Sequence, residues 1–187
     1  MARIKAINPE DAAGRTKELF GAVKAKLGSI PNLMKTMGHA PALLEGYLSY
    51  NDALANGALD KQLRELIAVT VGEHNGCQYC VSAHTMIGEK MAGISRVLIL
   101  AARTGSTTTA KFDAALRFVR ALLSKKGAVS DKELHAVKEA GYSDEEVSEI
   151  IGHVGLNVLT NYFNNTVQTE VDFPKMELLA KLELVNN

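Results

Sequence analysis

Residues 63–85 of the chain read LRELIAVTVGEHNGCQYCVSAHT. In the first half of this stretch, apolar residues recur at the three- and four-residue spacing of one helix face, at Leu63, Leu66, Ile67 and Val71. Asp60 precedes the run as a candidate N-cap, and an Asn-Gly pair at residues 75–76 interrupts it. Residues 77–91 then resume a helical pattern. We predict two successive helices, with a cysteine pair at the start of the second.

Helix signals dominate the rest of the chain as well. Further helices are predicted over residues 9–27, 43–56 and 110–124, and residues 33–37 form a short apolar stretch after a turn. Capping boxes that start at Ser130 and Ser143 predict two more, the second reaching about residue 168. No hairpin signal occurs, and only residues 95–101 and 171–173 are candidates for short extended segments. Because no linker divides the chain, we predict a single all-α domain over residues 1–187.

The composition argues against several classes of protein. Hydrophobic residues make up 47% of the 187 residues, and the 21 basic and 21 acidic residues cancel. A neutral chain lacks the basic surplus of nucleic-acid-binding proteins and of polybasic membrane anchors, and it has little charge repulsion against self-association. The sequence contains neither an apolar signal-peptide segment nor a run of about 18 apolar residues. We expect a cytoplasmic protein that binds neither membrane nor nucleic acid.

Two cysteines and a histidine form the candidate chemical site. On a helix, Cys77, Cys80 and His84 lie on one narrow stripe, because three- and four-residue steps return to the same face. The Asn-Gly interruption leaves Cys77 near a helix N-terminus. Free amides and the helix dipole there favour the thiolate over a thiol of ordinary pKa, ~8.5. A neighbouring imidazole can accept the thiol proton. These residues together indicate thiol redox chemistry.

An acidic side chain behind His84 would orient the ring and fix its tautomer, and Glu65 and Glu73 are the candidates. Two other interpretations of the cysteines are open. They can be small core residues. Alternatively, the cysteines and the histidine can be three ligands of a zinc site, with His74 or Glu73 as the fourth. The sequence contains no second cluster of cysteine and histidine, so the spacing favours redox chemistry.

Residues 63–85 resemble the core motif of the alkylhydroperoxidase D-like proteins, a branch of the carboxymuconolactone decarboxylase family. Three further segments resemble the peroxidase-related subgroup of that branch: LGSIPNL at residues 27–33, NVLTNYFN at residues 157–164 and DFP at residues 172–174. The resemblance therefore covers most of the chain. Its motif is specific for the family and much less specific for a substrate.

The resemblance implies an all-α fold whose core is a helical hairpin carrying the cysteines, assembled as a homotrimer or hexamer. It implies a peroxidase in which Cys80 attacks a hydroperoxide and becomes a sulfenic acid, after which Cys77 condenses with it to a disulfide. His84 matches the relay histidine, Glu65 matches the family's acid, and Glu73 is an additional acid of the subgroup. No bound cofactor or metal is implied. An external dithiol reduces the disulfide, and in the best-described members this reductant is a lipoylated protein.

The resemblance leaves two points open. Tyr79 stands where the well-described peroxidases carry a second histidine, so the proton relay lacks a member unless Glu73, Tyr79 or His74 replaces it. The helix N-terminus favours Cys77 as the more ionised thiol, whereas the resemblance assigns the attack to Cys80. Two functions are alternatives to a peroxidase. One is a redox sensor, and the other is a lyase of the lactone-cleaving decarboxylase branch, which generally lacks the cysteine pair.

Several other polar residues have structural interpretations. His153 lies among apolar residues, and we expect it in the core or at an interface. Asn157, Asn161 and Asn164 are polar positions on an otherwise apolar helix. They can line a pocket or form hydrogen bonds between subunits, and we favour the subunit interface. We expect Tyr47 to serve packing.

Overall fold

The computed structural model describes residues 1–180. Within that range the chain forms nine α-helices and no β-strand, so the predicted all-α fold is confirmed. The helices are α1 (Gly14–Leu27), α2 (Asn32–Met37), α3 (Pro41–Ala55), α4 (Lys61–His74), α5 (Gln78–Lys90), α6 (Arg96–Arg103), α7 (Ala110–Ser124), α8 (Asp131–Glu139) and α9 (Asp144–Val167).

The central element is a helical hairpin formed by α4 and α5. The Asp60 side chain caps α4 by accepting hydrogen bonds from the amides of residues 62 and 63. Residues 75–77 connect the two helices, and Gly76 takes a φ of 63°, which favours glycine. A Cβ at Gly72 would lie 3.2 Å from the Val81 Cγ2 atom, so glycine permits the two helices to pack this closely. The hairpin therefore fixes where the cysteines lie.

Two apolar clusters flank this hairpin. The first is built largely from α4, α6, α7 and α9, and residues 66–72 of α4 are all buried. The second joins residues of α1, α2 and α3 to the start of α5, and it includes Cys77, Tyr79, Cys80 and Ala83. The cysteine pair thus belongs to a packed interior.

The C-terminal segment, residues 169–180, follows α9 back across α5. The Met176 amide donates a hydrogen bond to Ser82 Oγ at 3.0 Å. The side-chain amide of Gln78 donates to the Met176 carbonyl oxygen at 3.2 Å. The ring of Phe173 meets Tyr79 edge-on, with ring centroids 5.5 Å apart. This segment therefore covers the first turns of the cysteine helix.

The observed helices depart from the sequence prediction in two places. The first predicted helix begins at Gly14 instead of Pro9, because residues 9–11 form a 3₁₀ turn and buried Ala12 takes an extended conformation. In the candidate extended segment 95–101, residues 96–101 lie in α6, and Ser95 is its N-cap, whose Oγ accepts a hydrogen bond from the Leu98 amide. Both predicted capping boxes are present. Within residues 1–180, no helix is both long enough and apolar enough to cross a membrane.

Candidate active site

The two cysteines form a disulfide at the N-terminus of α5. Cys77 is the N-cap and has extended backbone angles, while Cys80 lies in the first turn of the helix, with Cα atoms 5.4 Å apart. The Cys80 amide donates a hydrogen bond to Cys77 Sγ at 3.3 Å. Cys77 therefore lies at the helix N-terminus as expected, but just before the helix, so only Cys80 and His84 share its face.

His84 and Glu65 are brought together by the packing of α5 on α4. The His84 Nδ1 atom lies 2.8 Å from Glu65 Oε2, and the two side chains are 27% and 19% exposed. A Glu65 carboxylate accepts a hydrogen bond from an Nδ1 that carries a hydrogen. In a neutral ring this tautomer leaves Nε2 without a hydrogen, so Nε2 is the nitrogen that can take up a proton. Of the two candidate acids, Glu65 is the one in contact with His84.

A cavity of about 270 Å³ opens over Cys80 and His84. Its walls are mainly apolar and aromatic, and they include Leu33, Met34, Tyr47, Tyr79, Ile87 and Phe173. Cys80 lines the cavity, and Cys77, which has no exposed surface, does not. A larger cleft of about 510 Å³ lies between α7 and α8 and contains no cysteine or histidine. The cavity at Cys80 is therefore the candidate site for a reacting molecule.

Two tyrosines line this cavity in different roles. The Tyr79 hydroxyl accepts a hydrogen bond from the Leu33 amide at 3.1 Å, and burial raises the pKa of Tyr79 above its ordinary value. This arrangement makes Tyr79 a poor replacement for a relay histidine. Burial, with a smaller effect of the Glu65 carboxylate, raises the pKa of Tyr47 to about 12. Tyr47, which the sequence suggested only for packing, therefore offers a neutral phenol to the cavity.

Glu73 and His74 lie elsewhere. Glu73 Oε2 accepts a hydrogen bond from Arg103 Nε at 2.7 Å, and Oε1 accepts one from the Leu179 amide at 2.7 Å. The Glu73 and Arg103 side chains are 9% and 2% exposed. His74 is exposed and borders a separate cavity of about 180 Å³ with Glu73 and Arg103. Glu73 thus has structural partners, and His74 does not line the Cys80 cavity.

Asn164 contacts the site from α9. Its Nδ2 atom donates a hydrogen bond to Cys80 Sγ at 3.3 Å, and its side chain is buried. One turn away, Asn161 Oδ1 accepts a hydrogen bond from Asn75 Nδ2 at 3.0 Å. The expectation that these asparagines face a subunit interface is wrong, because Asn157, Asn161 and Asn164 are all buried within the chain. The i, i+3 spacing on an apolar helix was the available signal that they point inward.

The zinc interpretation finds no support in the arrangement of side chains. In the part of the chain that the structure describes, no three or more His, Cys, Asp or Glu side chains are grouped to hold a metal ion. His153, on α9, is 6% exposed and does not line the cavity, which agrees with the expected core position.

The segment that contains the α4–α5 hairpin matches a known protein family. Residues 41–124 match the family model described as the carboxymuconolactone decarboxylase family. This segment belongs to that family. It extends from α3 to α7 and includes Glu65, both cysteines and His84, so the resemblance predicted from the sequence is confirmed. No curated protein matches the chain significantly.

Solved structures share the fold over nearly the whole chain. One is an alkylhydroperoxidase AhpD core from Ralstonia eutropha, an uncharacterized peroxidase-related protein; identity is 24%, coverage is 91% of this chain and 92% of that chain, and the TM-score is 0.82. A peroxidase-related protein from a Silicibacter species follows, with 22% identity, coverage of 89% and 91%, and a TM-score of 0.76. The debrominase Bmp8 matches at 21% identity, with coverage of 90% and 91% and a TM-score of 0.76. These similarities show that the chain has the AhpD-like fold.

Proposed function

We propose that this protein is a thiol-dependent peroxidase that reduces organic hydroperoxides through the Cys77–Cys80 pair. The observation that carries the proposal is the asymmetry of the pair. Cys80 lines the cavity together with His84, which Glu65 orients, while Cys77 lies behind it within disulfide reach. This is the arrangement of a nucleophile, a base, an orienting acid and a resolving thiol.

The first half of the proposed cycle oxidises Cys80. His84 Nε2 takes up the proton of the Cys80 thiol, and the thiolate attacks the terminal oxygen of the hydroperoxide. The O–O bond breaks, and the departing alkoxide takes the proton from the His84 imidazolium to become an alcohol. Cys80 is left as a sulfenic acid. The peroxide is reduced by two electrons, and the sulfur is oxidised by two.

The second half regenerates the thiols. The Cys77 sulfur attacks the Cys80 sulfur, the S–O bond breaks, and the hydroxyl group leaves as water with the Cys77 proton. The resulting disulfide is the state seen in the structure. An external dithiol then reduces it by thiol–disulfide exchange, and a lipoylated protein is the carrier we propose. Assembly as a homotrimer or hexamer and a cytoplasmic location are part of the same proposal.

The walls of the cavity favour an organic hydroperoxide over hydrogen peroxide. Leu33, Met34, Ile87 and Phe173 offer apolar surface that a small organic group would cover. Each buried CH₂ contributes about 0.8 kcal/mol of binding free energy, which hydrogen peroxide cannot use. We expect kcat/KM to rise from hydrogen peroxide to tert-butyl hydroperoxide to cumene hydroperoxide.

The test begins with the thiol titre of the reduced protein before and after one equivalent of cumene hydroperoxide. Peroxide loss is then followed with excess dithiothreitol and with a lipoylated donor. We expect loss of two thiols per chain and sustained turnover. Without added dithiol, Cys77→Ser should consume one equivalent, form a Cys80 sulfenic acid that dimedone captures, and stop, whereas Cys80→Ser should be inert.

Other outcomes separate the alternatives. Wild-type protein that keeps both thiols in excess peroxide contradicts the proposal. Slow loss of two thiols without turnover indicates a redox sensor. Lactone decarboxylation that survives replacement of both cysteines by serine indicates a lyase of the family's other branch.

Reductive dehalogenation is the second candidate, because a debrominase shares the fold over 90% of this chain and Tyr47, Tyr79 and Phe173 form an aromatic wall beside Cys80. In this reaction the Cys80 thiolate attacks a halogen on an aromatic ring, the ring carbon is protonated, and Cys77 displaces halide to form the same disulfide. Bromide release from a bromopyrrole, measured with dithiothreitol as reductant, distinguishes this activity from peroxide reduction.

A further inference from the structure

Each sulfur of the disulfide has its own hydrogen-bond donor. Cys77 Sγ accepts from the Cys80 amide, a local contact at a helix N-terminus. Cys80 Sγ accepts from Asn164 Nδ2 at 3.3 Å, a contact across 84 positions of sequence between α5 and α9. Asn164 is 3% exposed, and its Oδ1 atom has no hydrogen-bond partner among residues 1–180. A buried amide with an unpartnered oxygen therefore directs its N–H at the reacting sulfur.

The energy of this contact depends on the state of the sulfur. A disulfide sulfur and a neutral thiol are weak acceptors, whereas a thiolate is an anion that accepts strongly. A donor that binds the charged form better than the neutral form lowers the pKa of an acid. The carboxamide of Asn164 does not titrate, so its donation persists over the whole working pH range.

We propose that Asn164 is a catalytic residue that stabilises the Cys80 thiolate and thereby makes Cys80 the nucleophile of the pair. Cys77 occupies the helix N-terminus, which by itself would favour its ionisation. A side-chain donor dedicated to Cys80 counters that bias. The use of the thiolate in catalysis rests on the proposed peroxidase function, but the effect of Asn164 on Cys80 does not.

Other titratable groups face Cys80, and the test must leave them unchanged. Those that line the cavity are Lys26 of α1, Tyr47 of α3, and Tyr79 and His84 of α5; Glu65 of α4 acts through His84, and Cys77 is the disulfide partner. The Lys26 ammonium pairs with Asp52 at 2.6 Å. Asn164→Leu changes none of these groups, so a change in Cys80 ionisation in that variant can be assigned to the lost donor.

The same donor has a redox consequence. Stabilising the thiolate stabilises the reduced protein relative to the disulfide, which makes the disulfide a stronger oxidant. Loss of the donor should therefore make the disulfide harder to reduce. A tenfold change in the equilibrium constant with a reference dithiol corresponds to ~30 mV.

The test measures Cys80 ionisation in reduced protein that carries Cys77→Ser, by thiolate absorbance at 240 nm and by the pH dependence of iodoacetamide alkylation. Asn164→Leu should raise the pKa of the Cys80 thiol by about 1, which means a tenfold smaller thiolate fraction on the acid side. Asn164→Asp, which keeps the size but replaces the donor with an acceptor, should raise it further. The matched control is Asn157→Leu, because the side chain of buried Asn157 donates, among residues 1–180, only to the His153 carbonyl on its own helix.

These measurements need no peroxide, so they separate this inference from the proposed function. Folded Asn164→Leu or Asn164→Asp protein with an unchanged Cys80 pKa overturns the inference, and so does an equal shift in Asn157→Leu. A further measurement by NMR keeps Asn164 itself in place. The Asn164 side-chain amide resonances should shift with pH at the Cys80 pKa, and amide resonances that do not respond to that titration contradict the contact.

Discussion

At the scale of single residues, the contact between Glu65 and His84 fixes which ring nitrogen is free for the proposed proton transfer. Glu65 engages Nδ1, so in the proposed cycle the other ring nitrogen exchanges protons with Cys80 and with the leaving oxygen. In the proposed cycle the carboxylate also stabilises the imidazolium that forms when the ring accepts the thiol proton. Both effects act within a partly buried site, where charge interactions are stronger than in water.

Replacing Glu65 by glutamine separates two effects of this residue, the orientation of the His84 ring and the negative charge beside it. In Glu65→Gln, the amide oxygen can still accept the Nδ1 hydrogen, but the negative charge that stabilises the imidazolium is gone. We expect the rate of Cys80 oxidation by cumene hydroperoxide to fall roughly tenfold to hundredfold. The control is Glu89→Gln, which removes the same charge from a carboxylate paired with Arg96 on the hairpin's outer side. Equal rates for the two variants, measured by stopped flow, would contradict the assigned role.

Protonation of His153 should make the free energy of unfolding depend on pH. Burial, and next the nearby Arg64 guanidinium, lowers the pKa of His153 to about 4, against about 6.5 in an unfolded chain. Between these pH values the unfolded chain binds a proton that the folded protein does not. The free energy of unfolding should therefore be unaffected above pH ~6.5 and should fall by about 3 kcal/mol as the pH drops to ~4.

Urea unfolding between pH 4 and 8 tests this linkage. His153→Gln should flatten the acid slope of the wild type, because the titrating group is gone. His135→Gln is the matched control, since the side chain of His135 is 72% exposed. The linkage is refuted by a slope that His153→Gln leaves as steep as in the wild type.

At the scale of helices, alanine should stabilise the protein at one glycine of α3 but not at one glycine of α4. At Gly46 in α3, an added Cβ meets nothing within 4 Å, so Gly46→Ala should stabilise the protein by ~1 kcal/mol through helix propensity. At Gly72, the Cβ lies 3.2 Å from Val81 Cγ2 and 3.5 Å from Cys80 Cβ. Crowding there typically costs 1–3 kcal/mol, so Gly72→Ala should be destabilising or neutral. Chemical unfolding of both variants checks the expectation, and an equal gain at Gly72 would show that α4 and α5 pack loosely.

The helices could largely be predicted because their signals are local. Apolar spacing and the Asp60 cap define α4, and the capping boxes at Ser130 and Ser143 define the starts of α8 and α9. The prediction was wrong where local signals conflict. The run VLILA in α6 fits a strand or a helix equally well, and the packing of Ile99 and Ala102 into the core decides for a helix.

The site could be predicted only in part, for a geometric reason. The spacing of Cys77, Cys80 and His84 is local and visible in the sequence. The contact of Glu65 with His84 depends on how α4 and α5 are rotated against each other, and only the family resemblance supplied it. The Asn164 contact depends on the packing of α9 on α5, which no short-range pattern encodes. The same limit explains why Tyr47 was assigned to packing alone.

At the scale of the whole molecule, a buried ion pair joins three parts of the chain. Glu73 of α4 and Arg103 of α6 are in contact at 2.7 Å, and both also bind the C-terminal segment. Glu73 accepts from the Leu179 amide, and Arg103 donates to the Glu177 carbonyl oxygen. The C-terminal segment in turn places Phe173 against Tyr79 at the cavity wall. The ion pair therefore links α4 and α6, which contribute to the first apolar cluster, to the C-terminal segment that lies across α5.

Removing one member of this pair should be costly, because the remaining charge stays buried without an opposite charge beside it. Arg103→Met should lower the free energy of unfolding by roughly 3–5 kcal/mol, and Glu73→Gln combined with Arg103→Met should cost less than the sum of the single changes. Arg117→Met is the control, since Arg117 is 76% exposed in its pair with Asp113 and should change stability by less than about 1 kcal/mol. Urea unfolding gives these free energies, and hydrogen exchange of the Met176 and Leu179 amides should speed up in Arg103→Met. A loss as small as that of the control, with unchanged exchange, would mean that the C-terminal segment is held by its apolar contacts instead of by the ion pair.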